Sequence, residues 1–406
     1  MAKPAGPICN LDCTYCFYLE KESFFPKNNR FLMSDRVLRS YIEQSIKNEV
    51  TPEVVFTWQG GEPMLRGLAF YQKAIEYQKE LGAGKIIRNA LQTNGVLLDD
   101  EWCQFLAKSQ FTVGISLDGP RDIHDAARVD KQGRSTFDAV MRGIDLLKKY
   151  SIEFNVLVTV SNEVSKHPKE VYQFLKAQNF THIQFNPVVE RTANNDEQVI
   201  GLTFAKPGKT STSTPRMQVT PHTVAPGAYG EFLIAIFDDW VRKDVGKIFV
   251  MNFEWALSSF LKLPSTICLF SDNCGKALIL EHNGDVYSCD HFMYPDHKLG
   301  NIQDSNILDL ANSPQQQTFG EAKSKTLPNY CRKCEYVSAC HGECPKNRFA
   351  ITPDGEVGLN YLCPSYKSYF KHITKYINAM AKLISHGQPA SLVMDAIKGP
   401  LAIKLS

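Results

Sequence analysis

The sequence predicts an α/β fold, an open partial (β/α)6 barrel of parallel strands followed by a cysteine-rich C-terminal module. Three observations carry this. Short apolar runs alternate with amphipathic helical stretches from Ser34 to Phe185, the pattern of a parallel sheet with helical crossovers. The alternation supplies six units at most, too few to close an eight-stranded barrel. Eleven of the twelve cysteines fall in two zones, three in residues 9–16 and eight between Cys268 and Cys363.

The elements follow in chain order. Met1–Ile8, with Pro4 and Pro7, makes a poor strand, so the first strand is expected to be abbreviated or cut by a late start. Ser34 is placed to cap a helix in which Val37, Leu38, Tyr41, Ile42, Ser45 and Ile46 recur at helical spacing. Val54–Trp58 reads as strand and Leu68–Leu81 as helix. Ile86–Gln92, Thr112–Leu117, Phe154–Val160 and His182–Phe185 are the next strands. Asp99–Lys108, Thr136–Tyr150 and Lys169–Gln178 are the helices between them, with Cys103 a core residue beside Trp102 and Phe105. Arg191–Gly227, rich in Thr, Ser and Pro, reads as an irregular linker or surface insertion. Helices resume at Tyr229–Arg242, Phe253–Leu261 and Tyr366–Ile384. The expected organisation is a barrel over 1–190, an insertion with connecting helices over 191–265, a cysteine module over 266–365 and a helical segment over 366–406.

Composition narrows the function classes. Hydrophobic residues at 43% and charged residues at 22% are ordinary for a globular enzyme. A net charge of +2 argues against a nucleic-acid partner. No apolar run reaches the ~18 residues of a membrane span, and no signal peptide is evident. A cytoplasmic location is expected, and there clustered thiols bind metal more often than they form disulfides.

Cys9-x3-Cys13-x2-Cys16 can hold three irons of a four-iron cluster and leave the fourth open. A zinc knuckle or buried structural cysteines are the alternatives, but zinc wants a fourth ligand and the next cysteine is Cys103. Gly60-Gly61-Glu62-Pro63 follows a strand, where glycines let backbone approach a ligand and a carboxylate can accept from an ammonium; turn glycines are the plainer reading. Arg128 can bind a carboxylate bidentately or be a surface arginine. The C-terminal run is Cys268-x5-Cys274-x14-Cys289, Cys331-x2-Cys334-x5-Cys340-x3-Cys344 and Cys363, enough for two four-iron clusters or two zinc sites.

The N-terminal triplet resembles the signature of the radical S-adenosylmethionine (SAM) enzymes, in which SAM chelates the open iron. The resemblance implies that Gly60, Gly61 and Glu62 grip the SAM amino group. It implies further that Ser116 and Arg128 serve the methionyl and ribose side, and that the backbone of Tyr15 and Val189 contacts adenine, with Asn94 a further candidate. The C-terminal run resembles the SPASM domain. That resemblance assigns Cys268, Cys274, Cys289 and Cys344 to one cluster and Cys331, Cys334, Cys340 and Cys363 to the other.

Within the superfamily the chain is most similar to the anaerobic sulfatase-maturating enzymes. The similarity is carried by Cys13–Tyr18, Trp58–Pro63, Gly284–Phe292, Leu299–Ile302, Cys340–Arg348 and Leu359–Cys363. It implies three [4Fe-4S] clusters, SAM, and oxidation of Cys or Ser in a sulfatase's C/S-x-P-x-R segment to Cα-formylglycine. It gives Asp290 as the base, its pKa raised by burial, and Tyr18 and Gln59 as substrate contacts, with His291 structural. A solvated turn is the plainer reading of Asp290. The implied partners are an unfolded or nascent sulfatase polypeptide and an electron donor such as flavodoxin or ferredoxin, without nucleic acid or membrane. The rivals are a SPASM-type maturase crosslinking a ribosomally made peptide and a ferredoxin-like electron carrier.

Overall fold

The computed structural model describes residues 1–26, 29–82, 84–199, 201–208 and 218–398. Strands β1 (Ala2–Lys3), β2 (Glu53–Trp58), β3 (Ile86–Thr93), β4 (Phe111–Ser116), β5 (Phe154–Val160) and β6 (His182–Pro187) pair in parallel in chain order. Helices α1 (Asp35–Asn48), α2 (Leu68–Leu81), α3 (Asp100–Lys108), α4 (Arg121–Asp125), α5 (Phe137–Lys149) and α6 (Pro168–Ala177) run between them. The helices start where local chemistry dictates. Ser34 Oγ accepts from Val37 N at 3.3 Å and Asp99 Oδ1 from Trp102 N at 2.8 Å, each satisfying a backbone donor of a first turn. Val37, Leu38, Tyr41, Ile42 and Ile46 are buried as their spacing predicts, and they face the alternate β2 residues Val54, Phe56 and Trp58. Cys103 is a buried core residue.

The poor first strand does form, but over two residues, because Pro4 ends what the ladder can use. Its free edge is where the sequence-based picture falls short. Among the described residues the sheet has ten strands, ordered β10-β9-β8-β1-β2-β3-β4-β5-β6-β7. Strand β7 (Phe249–Val250) adds to β6 in parallel, and β8 (Ile279–Glu281) adds to β1 in parallel. Strands β9 (Asp285–Tyr287) and β10 (Lys298–Asn301) continue antiparallel. Elements of two to four residues carry no readable period, so they were invisible in the sequence. Their consequence is specific: Lys3 lies opposite Glu281, and β9 delivers Cys289 and Asp290 beside the first barrel strand.

Between β6 and β7 the chain forms α7 (Asn195–Val199), with isolated bridges Arg191↔Val219 and Thr192↔Phe204. Residues 200 and 209–217 of the expected insertion, and 399–406 of the expected C-terminal segment, lie outside the described residues. Helices α8 (Ala228–Lys243) and α9 (Met251–Phe260) close the barrel's far side. Asn252 Oδ1 accepts from Phe185 N at 2.9 Å, and Tyr229 Oη donates to Phe185 O at 2.8 Å. The helix Cys363–Ser385 packs on α8 and α9 through Tyr366, Tyr369, Phe370 and Ile373. Among the described residues no helix is long and apolar enough to cross a membrane.

Candidate active site

The loop bearing Cys9, Cys13 and Cys16 is pinned from two sides. Asp12 N donates to Val129 O at 2.8 Å and Thr14 N to Ala127 O at 3.0 Å, while Asn94 Nδ2 donates to Asn10 Oδ1 at 2.8 Å. On the other side Gly61 N donates to Gly6 O at 3.0 Å and Glu62 N to Ile8 O at 2.8 Å. Gly61 is obligatory here, because a Cβ would overlap the Ile8 carbonyl oxygen. Gly60 sits at φ +139°, a conformation other residues rarely adopt, with Gly6 O beside it. The two glycines thus admit the chain leading to Cys9, where the sequence had suggested room for a ligand.

Glu62 also departs from expectation. It is fully buried, and its two oxygens already accept from Thr93 Oγ1 at 2.9 and 3.0 Å, Asn94 N at 2.9 Å and Met64 N at 3.0 Å. Burial pushes its pKa up to about 7 against those donors. Its first task is therefore to tie the Gly60–Pro63 turn to the end of β3, and an ammonium would have to share an occupied carboxylate. Arg128 likewise arrives with a partner. Its Nε lies 2.9 Å from Asp118 Oδ2, and its Nη2 donates to Thr159 Oγ1 at 3.0 Å. Asp118, fully buried, also accepts from Tyr15 Oη at 2.5 Å and Thr159 N at 2.8 Å. It orients both Tyr15 and Arg128, a role the sequence reading missed although Asp118 follows Ser116 by two residues. Ser116 Oγ accepts from Gln92 Nε2 at 3.3 Å, and Val189 O accepts from Lys346 Nζ at 2.8 Å.

The thiols fit iron. Burial, with Glu62 next, pushes Cys9 up to about 12, and burial, opposed by Arg128, brings Cys13 to about 11. Thiols are the donors an iron–sulfur cluster takes, and binding it would remove their protons. In the C-terminal module, Cys268, Cys274, Cys289 and Cys344 line one cavity together with His291 and Phe292. That grouping brings Cys344 back to the first three, as the resemblance implies. The resemblance gives Cys331, Cys334, Cys340 and Cys363 as the other set, and none of these four lines that cavity. Buried Arg348 donates to Gly342 O at 2.8 Å and His341 O at 2.7 Å, holding the loop between the two sets. Anaerobic reconstitution should therefore give about twelve irons and twelve sulfides per chain, on four-iron stoichiometry. Zinc in place of iron, or saturation near four irons, would refute the assignment.

Three stretches far apart in sequence meet at Asp290. Tyr18 Oη donates to Asp290 Oδ2, and Gln59 Nε2 reaches Tyr18 Oη at 3.4 Å. The side chain is 21% exposed, so it is neither a solvated turn residue nor sealed from a substrate. Burial is the largest influence on its pKa and pushes it up, but Lys3, His291 and Tyr18 outweigh it and leave the carboxyl below its ordinary value. This corrects the expectation of a raised pKa: a lysine that the sequence reading did not weigh stands beside it. Lys3 Nζ is 2.8 Å from Asp290 Oδ1. His291, pulled by burial down to about 4, stays neutral, 3.5 Å from Cys344 Sγ and edge-on to Phe17.

Comparisons with known proteins agree with this geometry. Residues 4–175 match the radical SAM superfamily and residues 268–335 an iron-sulfur cluster-binding domain, SPASM. The serine-type anaerobic sulfatase-maturating enzyme of Bacteroides thetaiotaomicron is 42% identical, over all of this chain and 96% of that one. The cysteine-type enzyme of Clostridium perfringens is 32% identical over 92% of this chain and 95% of its own. A solved structure, native anSMEcpe with bound AdoMet and Cp18Cys peptide, superposes with a TM-score of 0.81 at 31% identity, covering 94% of this chain and 98% of that one.

Proposed function

The chain belongs to the family of anaerobic sulfatase-maturating enzymes, and from that membership we propose how its own residues divide the work. The reaction is the radical SAM oxidation of a sulfatase Cys or Ser to Cα-formylglycine. Cys9, Cys13 and Cys16 would hold the iron–sulfur cluster that, together with SAM, would supply the radical chemistry for removing a Cβ hydrogen from the substrate.

Gly60, Gly61, Ser116 and Arg128, with the backbone of Tyr15 and Val189, line the SAM side at the C-terminal ends of the strands. Asp118 fixes Arg128 and Tyr15, and Glu62 fixes the glycine turn. Tyr18 and Gln59 orient the target side chain, and Asp290 takes its thiol or hydroxyl proton. Cys289 immediately precedes Asp290, so the cysteines that hold the first C-terminal cluster stand beside the base. The proton and the second electron therefore leave the substrate from one place. Cys331, Cys334, Cys340 and Cys363 hold the other carrier, and a donor of the flavodoxin or ferredoxin class supplies electrons in the cytoplasm. The observation that carries this reading is the meeting of Tyr18, Gln59 and Asp290 next to the Cys289 cavity. A ribosomal-peptide maturase and a bare electron carrier are both disfavoured by relatives named for sulfatase maturation.

Reconstituted enzyme should convert C-x-P-x-R or S-x-P-x-R peptides to formylglycine, read by mass and by aldehyde trapping. The relative rates on the two peptides give the side-chain preference. Deoxyadenosine release with neither peptide oxidised would overturn the assignment.

A further inference from the structure

We propose that Lys3 is the positioning residue of Asp290, its ammonium holding one carboxylate oxygen so that the other faces Tyr18 and the substrate side chain. The inference rests on the reading of Asp290 as the base.

Lys3 is 1% exposed, and a lysine this buried is rare unless its charge is paired. Around its single nitrogen stand Asp290 Oδ1 at 2.8 Å, Glu281 Oε1 at 3.5 Å and the Tyr18 ring, with the centroid at 4.3 Å. A ring face attracts an ammonium, so Tyr18 contributes twice: its face steadies Lys3 and its hydroxyl donates to the far oxygen of Asp290. The two oxygens of Asp290 are thereby told apart, one facing a fixed cation and the other a hydroxyl.

Glu281 is the second carboxylate on the same ammonium and is fully buried, with His282 Nδ1 3.4 Å from its other oxygen. Lys3 consequently keeps a counter-charge independent of Asp290. Burial pulls the Lys3 pKa down, but Asp290 and Glu281 outweigh it and keep the ammonium charged. The backbone supports the same arrangement. Lys3 and Glu281 are register partners across β1 and β8, the two short strands that join the barrel sheet to the C-terminal module. The joint between the two parts is thus also the seat of the base. Neither Lys3 nor Glu281 is in the set expected to bind iron or SAM, so the mechanism leaves both unexplained otherwise.

Lys3→Met keeps an unbranched stem one atom shorter and removes the charge. It is tested in the full reconstituted chain with a substrate peptide deuterated at Cβ, and iron content is measured alongside. The expected result is wild-type iron, deuterium still arriving in 5′-deoxyadenosine, and formylglycine per deoxyadenosine falling about tenfold to a hundredfold, the cost of a displaced catalytic group. Lys3→Arg should restore part of the coupling. A purely structural lysine would instead lower iron and label transfer together with product. Coupling equal to wild type in Lys3→Met, or loss of label transfer at normal iron, overturns the proposal. If Lys3→Met does not fold, Glu281→Gln serves, since it leaves Lys3 in place with a weaker anchor. A severalfold loss of coupling supports the proposal, and unchanged coupling overturns it. Asp290→Asn is run in parallel. Normal product from that variant removes the base assignment itself, whereas uncoupling there with normal Lys3→Met removes this inference alone.

Discussion

Replacing Cys9, Cys13 and Cys16 with Ala abolishes SAM cleavage while the two C-terminal clusters still assemble. The expectation follows from the separation of the thiols. The three lie on a loop held by backbone bonds to Ala127 and Val129, and the chain leading into it at residues 6–8 is held by Gly61 and Glu62; none of these bonds involves sulfur. Removing the thiols leaves those bonds in place, so the barrel should fold. The eight cysteines of the C-terminal module sit on other segments, four of them around one cavity. Iron should fall from about twelve to about eight per chain. Deoxyadenosine should drop to the background of enzyme-free controls, because no other cysteine group leaves an iron without a protein ligand. Ordinary deoxyadenosine production by the triple variant would show that SAM is cleaved elsewhere.

How much of this was legible in the sequence depends on the length of each signal. Strands β2 to β6 and helices α1, α2, α3, α5 and α6 were readable because each carries a run long enough to show its period, as in Val54–Trp58 or Leu68–Leu81. The strands β7 to β10 span two to four residues and left no pattern, so the shared sheet went unseen. The same blind spot hid Lys3: on a poor two-residue strand, a lysine reads as a solvated charge. Only the register with Glu281 and the approach of Asp290 give it a partner. The site residues themselves were legible through family motifs, since type and spacing carry the chemistry. Their immediate environment was not. Burial alone predicted a raised Asp290 pKa, and a cation brought from the other end of the chain reverses the sign. Glu62 was read by what a carboxylate can accept, whereas three donors had already claimed it.

Asp290→Asn should separate radical formation from product formation. Asn keeps the shape of the side chain and can still accept at one of the two positions that face Tyr18 and Lys3, but it cannot take a proton as a carboxylate does. Loss of a general base costs about two to four orders of magnitude in rate. The residues that would hold SAM are far from this change in the chain, on the turns after β2 and β4 and in the Arg128 region, and Arg128 keeps its pairing with Asp118. Reductive cleavage should therefore survive, with deoxyadenosine forming in the presence of peptide and a Cβ deuterium label still reaching it. The carboxyl in the wild-type enzyme is held below its ordinary pKa by Lys3, His291 and Tyr18 acting against burial, so it is already ionised at neutral pH. The wild-type rate should consequently not gain from raising the pH above neutrality through this group, and should fall on acidification as the carboxylate takes a proton from solvent. In Asp290→Asn that acid limb should disappear along with most of the formylglycine. A variant that matches wild type in formylglycine yield and rate would mean that another group removes the proton, and that Asp290 serves the fold through Lys3 alone.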